Sequence, residues 1–245
     1  MIDILLSTYG KGPWLDEWKE SLQKQTYTDW RLVVRDDTQE HLGAMRSYER
    51  LFQQADEADY IAFADQDDVW LPDKLQIQMQ AMEQAEEKWG KDCPIIVHTD
   101  LRVVDEHLNT IADSFWKYTF IVPELIDNNV KYLAIGNSVT GCAMLCNQAA
   151  RRASLPFGEH AYMHDAEIAM RTLLAGGHII PVPVQTVLYR QHGDNEVGAQ
   201  AYSFSLRLRE RVRKARVAYA ASRSRVFGSW IEFWFWKIRF FIAKQ

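Results

Sequence analysis

The sequence has 245 residues, 47% of them hydrophobic, which is enough to bury the core of one large domain or of a domain with an appendage. Three cysteines are too few for a disulfide framework and indicate a reducing compartment, and the absence of a basic leader predicts that the protein is not secreted. The net charge is -5, yet eleven of the 28 Lys and Arg residues lie beyond residue 202, against two acids. This asymmetry predicts an acidic domain over residues 1–202 and a basic tail over residues 203–245 with a different partner.

The first 90 residues alternate strand-like and helix-like patterns. Apolar runs at residues 2–7, 31–35 and 60–64 predict three strands, and each run ends in polar residues. Helical patterns follow each run, the first opening at Pro13 and the third at Pro72. Strands that alternate with helices form mostly parallel sheets, whose ligands bind at the carboxyl ends of the strands. The order therefore predicts an α/β fold with a nucleotide-type ligand at that edge.

The second half of the chain is less regular. Gly141 lies inside an apolar run, where glycine often marks the close approach of another backbone or of a ligand. His164 and Asp165 open a helical pattern that ends at a glycine pair. Residues 106–137 show no clear period and are expected to form loops and a short helix over the site. Further strands are predicted at residues 95–99, with 101–105 as an extension or a neighbour, at 139–146 and at 187–189.

Three acids, Asp65, Asp67 and Asp68, follow directly on the predicted strand 60–64. Carboxylates packed together repel one another unless a cation or several donors neutralise them, so the cluster predicts a divalent metal site. The alternative is the ordinary preference of acids for a helix N-terminus, which accounts for Asp68 and Asp73 better than for the other two. Cys142 and Cys146 are four residues apart, with no second cysteine or histidine pair nearby to complete a zinc site. They are predicted to be buried thiols.

Four motifs occur in one order along the chain. They are LLSTYG at residues 5–10, VVRDDT at 33–38, FADQDDVWLPDKL at 63–75, and MHDAEIAM at 163–170 followed by YRQHGDNEVGA at 189–199. Together they resemble inverting family-2 glycosyltransferases of the GT-A fold, in particular rhamnosyltransferase-like members that build bacterial surface polysaccharides. The resemblance covers about residues 1–200. It implies a mixed, mostly parallel sheet flanked by helices, with the C-terminal tail as a helical addition.

Two pairs of residues depart from that family. Thr38 and Gln39 stand where glycine and serine usually follow the aspartate pair, which bears on the loop around the nucleotide base. Ala166 and Glu167 stand where related sequences often carry aromatic residues, which bears on acceptor preference.

The resemblance implies the groups that would carry the chemistry. Asp67 resembles the ligand of Mg²⁺ or Mn²⁺, with His192 as a further metal ligand, and Asp65 resembles the acid that meets the ribose or the metal's waters. Asp165 resembles the general base, although aspartate is also common as a plain helix N-cap. Asp68 is expected to organise the turn.

Other residues resemble the substrate-binding groups of the family. Asp36 resembles the reader of a pyrimidine base, with Thr8 beside it, while an exposed strand-end turn is the alternative for Asp36. Arg190 would close over the diphosphate, or would be solvated surface. The residues that resemble the acceptor side are Gly141, Cys142 and His164, for which a packed strand and a hydrogen-bonded helix start are the alternatives.

The tail combines basic and aromatic residues. Residues 205–225 alternate arginines with apolar residues and predict a basic amphipathic helix, and residues 227–242 are rich in Trp and Phe. The second stretch is too short and too charged to span a bilayer, which needs about 20 mostly apolar residues. It predicts a helix in the interface of an anionic membrane, or aromatic packing on the domain body or a partner subunit. No nucleic-acid-binding module is recognised, so no nucleic-acid partner is predicted.

These observations predict a metal-dependent inverting glycosyltransferase, peripheral at the cytoplasmic face of the membrane. It would move a sugar from a dTDP- or UDP-sugar to a hydroxyl of a lipid-linked or cell-surface polysaccharide acceptor. A nucleotidyltransferase is the alternative enzyme, against which stands the lack of an N-terminal glycine-rich phosphate loop with a lysine. The alternative outside enzymes is a catalytically silent GT-A-like scaffold or binding protein recruited to membranes by its tail.

Overall fold

The computed structural model of the protein describes residues 1–193 and 226–244. Its centre is one eight-stranded sheet. The strands are β1 (Ile2–Thr8), β2 (Trp30–Asp36), β3 (Tyr60–Ala64), β4 (Val69–Trp70), β5 (Ile95–Val104), β6 (Thr110–Ala112), β7 (Met144–Asn147) and β8 (His178–Arg190). They lie in the order β2-β1-β3-β7-β5-β8-β4, with β6 paired to β5.

Nine helices accompany the sheet within the described ranges. They are α1 (Leu15–Gln23), α2 (Ala44–Gln54), α3 (Lys74–Trp89), α4 (Phe115–Tyr118), α5 (Pro123–Ile126), α6 (Val130–Ile135), α7 (Gln148–Ser154), α8 (His164–Leu174) and α9 (Trp230–Ala243). A 3-10 turn, Gly141–Ala143, leads into β7.

The sheet is mixed, and its long pairings are parallel. β1 pairs in parallel with β2 and β3, and β5 pairs in parallel with β8 along its whole length. The antiparallel pairings, of β3 with β7, β7 with β5, β8 with β4 and β5 with β6, involve two or three residue pairs each. The predicted α/β fold with a mixed, mostly parallel sheet flanked by helices is confirmed. Because β1, β2 and β3 run the same way, their carboxyl ends meet at one edge.

Two apolar layers hold the helices on the sheet, because strand side chains alternate between its faces. Ile4 of β1 packs in the layer that contains Trp18 of α1 and Met79 of α3. Its neighbour Leu5 packs in the other layer, with Phe52 of α2, which also contains residues of α6, α7 and α8. Both layers are buried, so each helix is fixed by its apolar face and its loops are left to build the site.

The last strand is longer than predicted. β8 begins at His178 and contains Pro181 and Pro183, which interrupt the apolar pattern on which the prediction of residues 187–189 rested. β4 pairs only with Val187 and Leu188, so the earlier part of β8 pairs on one side alone, with β5. Proline lacks the N–H donor and is tolerated on such an edge.

Three further boundaries differ from the sequence prediction. Residues 69–70 form β4 inside the acidic motif, a strand too short to show a period. α3 begins at Lys74 instead of Pro72, because Pro72 and Asp73 belong to the preceding turn. The predicted strand 139–146 divides into the 3-10 turn and β7. Of the two alternatives for residues 101–105, extension of the preceding strand is confirmed, because β5 is continuous from Ile95 to Val104.

The C-terminal helix α9 packs on the body of the fold through α6. Phe233 and Phe240 are buried, and the rings of Trp236 and Tyr132 lie 5.7 Å apart. The aromatic-packing alternative is therefore confirmed for this face. Among residues 1–193 and 226–244, no helix has the length and apolarity needed to cross a bilayer. The proposed boundary at residues 202–203 and the predicted helix 205–225 lie outside the described residues.

Candidate functional site

A cleft of about 810 Å³ lies where β1 and β3 end. Strand ends, the first turn of α8, the 3-10 turn and the irregular segment after β6 all contribute to its lining. Of the predicted site residues, the cleft is lined by Thr8, Asp65, Asp67, Gly141, His164, Asp165 and His192. Asp36, Cys142 and Arg190 are not part of this lining. The fold thus brings seven of the ten together from five separate stretches of sequence.

The three acids after β3 have three different environments. Asp65 accepts a hydrogen bond from the Tyr48 hydroxyl at 3.1 Å. Asp68 is 1% exposed and accepts the main-chain N–H of Arg190 at 3.0 Å, so it organises the turn as predicted. Burial and the neighbouring Asp67 and Asp65 carboxylates raise the pKa of Asp68 well above its usual range. Asp65 and Asp67 both line the cleft, and Asp67 meets His192 there.

The side chains of Asp67 and His192 form a pair in the cleft. Nε2 of His192 lies 2.7 Å from Oδ2 of Asp67, and the Trp14 ring lies 4.5 Å from the imidazole ring. Behind them, the ligand atoms of Asp65, Asp68 and Cys142 lie within 4.8 Å of one another. Carboxylate oxygens with one imidazole are a donor set that suits Mg²⁺ or Mn²⁺. Oδ2 of Asp68 is buried with no partner among the described residues, which also fits a nearby cation.

Arg190 occupies a different place from the one predicted. It is 1% exposed, and its guanidinium donates to the carbonyls of Asp67 at 2.7 Å and Glu106 at 2.6 Å, and to the Glu17 carboxylate. The planar donors of the guanidinium are therefore used on the protein's own oxygens. The prediction that Arg190 closes over a diphosphate is corrected: it secures the main chain of the acidic turn.

Asp165 lies in the first turn of α8 and lines the cleft. It is 8% exposed, and its two oxygens accept from the N–H of Ala166 at 2.6 Å and of Gly141 at 3.2 Å. Burial raises the pKa of Asp165 to about 6, and the two amide bonds act in the opposite direction. The carboxyl is thus mostly ionised at neutral pH, as a general base must be. The N-cap of α8 is Met163, so Asp165 is not a plain cap.

His164 and Gly141 are packed directly against each other. A Cβ on Gly141 would lie 2.5 Å from Nε2 of His164. The group that approaches this glycine is therefore an imidazole side chain, whereas another backbone or a ligand was expected. The ring also packs between Tyr48 at 4.2 Å and Phe63 at 5.1 Å, centroid to centroid. Burial lowers the pKa of His164 to about 3, so the ring is neutral. Cys142 is buried behind the cleft wall, where burial raises the pKa of its thiol.

The two adjacent aspartates at the end of β2, Asp36 and Asp37, differ in position. Oδ1 of Asp36 accepts from the N–H of Thr38 at 3.0 Å and of Gly10 at 3.4 Å on the exposed surface, and these bonds lower its pKa. Asp37 is 4% exposed, lines the cleft and donates its own N–H to the carbonyl of Thr8 at 2.9 Å. The exposed-turn alternative therefore describes Asp36. The acid on the cleft side is Asp37, which the sequence analysis did not select.

Aromatic residues of the cleft were also missed. Tyr9, Trp14, Tyr48 and Tyr162 line it, and Tyr9 is 61% exposed. Tyr9 belongs to the motif at residues 5–10 and directly follows the polar end of the first predicted strand. That position was the signal that could have identified Tyr9 as a cleft residue. Tyr162 stands next to the motif at residues 163–170 in a stretch without a period. An exposed aromatic ring beside a polar cleft is a common means of binding a planar or sugar ligand.

Comparison with known proteins bears on the fold. No protein-family model matches the sequence, and no curated protein matches it. Among solved structures, S. aureus TarS 1-349 in complex with UDP-GlcNAc matches with a TM-score of 0.58 and 13% identity over 90% of this chain and 66% of that one. The fold is GT-A. The same GT-A fold relates this chain to the mannosyltransferase PcManGT from Pyrobaculum calidifontis in complex with GDP-Man and Mn²⁺, with a TM-score of 0.56 and 12% identity over 91% of this chain and 64% of that one.

These matches confirm the predicted GT-A fold at an identity too low to carry activity across. The chain spans just under two thirds of both these neighbours and 36% of a longer S. aureus TarS chain. The rhamnosyltransferase-like part of the resemblance rests on the sequence motifs alone.

Proposed function

We propose that the protein is a metal-dependent, inverting transferase that uses a nucleotide sugar as donor. The observation that carries the proposal is the meeting, in one GT-A cleft, of the Asp67–His192 pair with a buried, largely ionised Asp165. Neither group by itself is specific, since ion pairs and buried acids also occur in plain structural roles. Their combination at the carboxyl edge of the sheet supports transfer chemistry.

The donor side is assigned to the ends of β1, β2 and β3. Asp67 and His192 would hold Mg²⁺ or Mn²⁺, with Asp65 beside them, and the bound ion would neutralise the charge of the leaving diphosphate. Thr8 and Asp37 line the part of the cleft next to the end of β1 and are the proposed contacts of the nucleotide. UDP- and dTDP-sugars are the proposed donors, because a carboxylate such as that of Asp37 can accept the imide N–H of a pyrimidine base. The neighbours were solved with UDP-GlcNAc and with GDP-Man and Mn²⁺.

Asp165 is the proposed general base. Its carboxylate takes the proton of the acceptor hydroxyl as that oxygen bonds to the anomeric carbon. The bond from that carbon to the diphosphate breaks on the opposite face, so the configuration inverts and the nucleoside diphosphate leaves with the electron pair. The amides of Gly141 and Ala166 hold the carboxylate in place during the transfer. The neutral ring of His164 packs against Gly141 and so fixes the position of α8 relative to the 3-10 turn.

A lipid-linked or cell-surface glycan is the proposed acceptor, with the protein peripheral at the cytoplasmic face of the membrane. Support comes from α9, whose outer face exposes Ile231, Phe235, Ile238 and Ile242, with Arg239 exposed among them. Apolar and basic residues on one helix surface suit the interface of an anionic bilayer. The buried face of α9 ends close to residues 137–141, the proposed acceptor side of the cleft. Its residue Phe240 packs against Gly136, which immediately precedes the lining residue Asn137.

The test is turnover of a panel of UDP-, dTDP- and GDP-sugars with Mn²⁺ or Mg²⁺, first as donor hydrolysis and then with lipid-linked acceptors. Asp67→Ala and Asp165→Asn are compared with Asp92→Asn. Asp92 is an exposed surface acid that does not line the cleft. Metal-dependent turnover of one donor, lost in the first two variants and kept in the third, supports the proposal. If neither turnover nor nucleotide binding is detected with any donor, the scaffold function replaces it.

A further inference from the structure

Three polar side chains form a buried cluster outside the cleft. Nε2 of His98, on β5, lies 2.7 Å from one carboxylate oxygen of Asp127, and the Ser138 hydroxyl donates to the other. His98 and Asp127 are 0% exposed and Ser138 is 1% exposed. Burying an acid, an imidazole and a hydroxyl costs free energy unless they satisfy one another. The proposed chemistry uses none of the three.

The cluster ties an irregular segment to the centre of the sheet. Asp127 directly follows α5, and α4, α5 and α6 have only four to six residues each, so little regular structure anchors this part of the chain. β5 is a central strand, paired on both sides with β7 and β8. Asp127 therefore links His98 to Ser138 by hydrogen bonds to both. Ser138 belongs to residues 137–141, which form one wall of the cleft.

From Ser138 the contacts continue to the general base. The side chain of Asn137 closes a turn around Val139, donating to its carbonyl at 2.6 Å and accepting its N–H at 3.2 Å. Two residues further on, the N–H of Gly141 donates to Oδ2 of Asp165 at 3.2 Å. The position of that amide therefore depends on where the Ser138 end of the wall is held.

We propose that His98, Asp127 and Ser138 are positioning residues that hold the wall 137–141 so that the Gly141 amide stays on the Asp165 carboxylate. The proposal rests on the proposed function only in taking Asp165 to be the base. It predicts that loosening the cluster weakens one of the two amide bonds to Asp165. An ionised carboxylate that loses a donor becomes easier to protonate, so its pKa rises.

The other titratable groups around the first turn of α8 are not members of the cluster. Tyr162 and His164 are in the cleft lining, the Tyr48 ring packs against His164, and Glu167 pairs with Arg171. No group of either charge sign is added or removed by Ser138→Ala. A change in the titration of Asp165 in that variant is therefore attributable to the Gly141 amide.

The experiment uses the full chain with ¹³C-labelled aspartate carboxyls and ¹⁵N-labelled backbone. Asp165 is assigned from the spectrum of Asp165→Asn, and its titration is followed between about pH 4.5 and 8, together with hydrogen exchange of the Gly141 amide. Ser138→Ala is compared with Ser154→Ala, which removes another buried hydroxyl. The Ser154 hydroxyl donates to the carbonyl of Ala150 in its own helix at 2.7 Å and lies 3.5 Å from the carbonyl of Ile168 in α8, so this control also contacts the helix of Asp165 but not the wall 137–141. Ser138→Cys, with a weaker donor of similar size, takes the place of Ser138→Ala if that variant does not fold.

The expected result is an upward shift of the Asp165 pKa by about one unit and about tenfold faster exchange of the Gly141 amide in Ser138→Ala, with neither change in Ser154→Ala. The acidic limb of the pH–rate profile should move with the titration. An unchanged pKa and unchanged exchange in Ser138→Ala overturn the proposal. Loss of the proposed function is a separate outcome: if Asp165→Asn keeps transfer activity, the base is wrong, while titration and exchange still decide the positioning.

Discussion

Nε2 of His192 lies 2.7 Å from Oδ2 of Asp67, although 125 residues separate the two in the chain. The contact joins the end of β8 to the turn after β3, and Arg190 fixes the same turn through its bond to the carbonyl of Asp67. Two contacts therefore join residues 190–192 to the turn after β3. The geometry of the proposed metal site thus depends on where β8 lies in the sheet.

The first prediction concerns Asp67 and His192 as the proposed metal ligands. Asp67→Ala and His192→Ala should each weaken Mn²⁺ binding by at least about tenfold, because each removes one donor from the proposed site. Calorimetric titration of Mn²⁺ in the presence of UDP measures the affinity, with Asp92→Asn as the control. Equal affinity in wild type and His192→Ala would remove His192 from the site.

The second prediction concerns the pH dependence of Asp165. Since burial raises its pKa to about 6, the proposed base is lost by protonation as pH falls, and kcat should decrease below about pH 6. Asp165→Asn should lower kcat by roughly 10² to 10⁴ with little change in nucleotide affinity. Steady-state rates from pH 5 to 8.5 and nucleotide binding by calorimetry check both statements.

The same shift has a consequence for stability. A carboxyl whose pKa is raised in the folded state favours folding while protonated, so that contribution is lost as pH rises from about 4 through about 6. Asp165→Asn removes the ionisation and should be more stable than wild type at pH 8, by up to about 3 kcal/mol, with a smaller difference at pH 4.5. Urea unfolding at the two pH values measures it. A variant that is less stable at both values would contradict the argument.

The third prediction concerns the contact of Gly141 with His164. Gly141→Ala places a methyl group 2.5 Å from Nε2, so α8 or the 3-10 turn must move, at a cost of about 1–3 kcal/mol in the free energy of unfolding. Gly228→Ala, where the nearest atom would be 3.5 Å away, is the matched control. Adding His164→Ala to Gly141→Ala should recover part of the stability, because the double variant removes the clash. Thermal unfolding of the wild type, Gly141→Ala, Gly228→Ala and the double variant measures these differences in stability.

The fourth prediction separates the position found for Arg190 from the one predicted. Arg190→Ala leaves the carbonyls of Asp67 and Glu106 without their buried donor and should destabilise the fold by about 2–4 kcal/mol. Arg190→Lys should recover little, because one ammonium group cannot reproduce the planar fork. Urea unfolding without any nucleotide is the measurement. Full stability together with weakened nucleotide binding would instead favour a direct diphosphate contact.

The fifth prediction concerns the two faces of α9. Phe235→Ser and Ile238→Ser, on the exposed face, should reduce binding to vesicles that contain phosphatidylglycerol by about tenfold each and leave the melting temperature unchanged. Phe233→Ser, on the buried face, should lower the melting temperature. Vesicle sedimentation at low and high salt measures the binding, which should weaken as salt screens the basic residues. Unchanged sedimentation in both exposed-face variants would point to a protein partner.

The sequence by itself determined the class of fold, and most of the residues that it selected line the cleft. Alternating strands and helices, each strand ending in polar residues, specify a sheet with its ligands at the carboxyl edge, and the motifs at residues 63–75 and 163–170 select Asp67 and Asp165. These features are local, because periodicity, caps and motif spacing are read within one stretch of chain. The same locality explains why β8 was predicted too short, since its prolines are acceptable only at a strand edge that β4 leaves open.

Only the tertiary structure decided which side chains face the cleft. Asp36 and Asp37 are adjacent, and strand side chains alternate, so a difference of one residue in where β2 ends exchanges the exposed acid for the buried one. The sequence left Arg190 as a group that closes over the diphosphate or as solvated surface. The structure instead buries its guanidinium against Glu17, Asp67 and Glu106. The cluster of His98, Asp127 and Ser138 has no motif at all. Its members come together because β5, α5 and the cleft wall meet in space, and contacts between distant stretches of chain are what a single sequence leaves open.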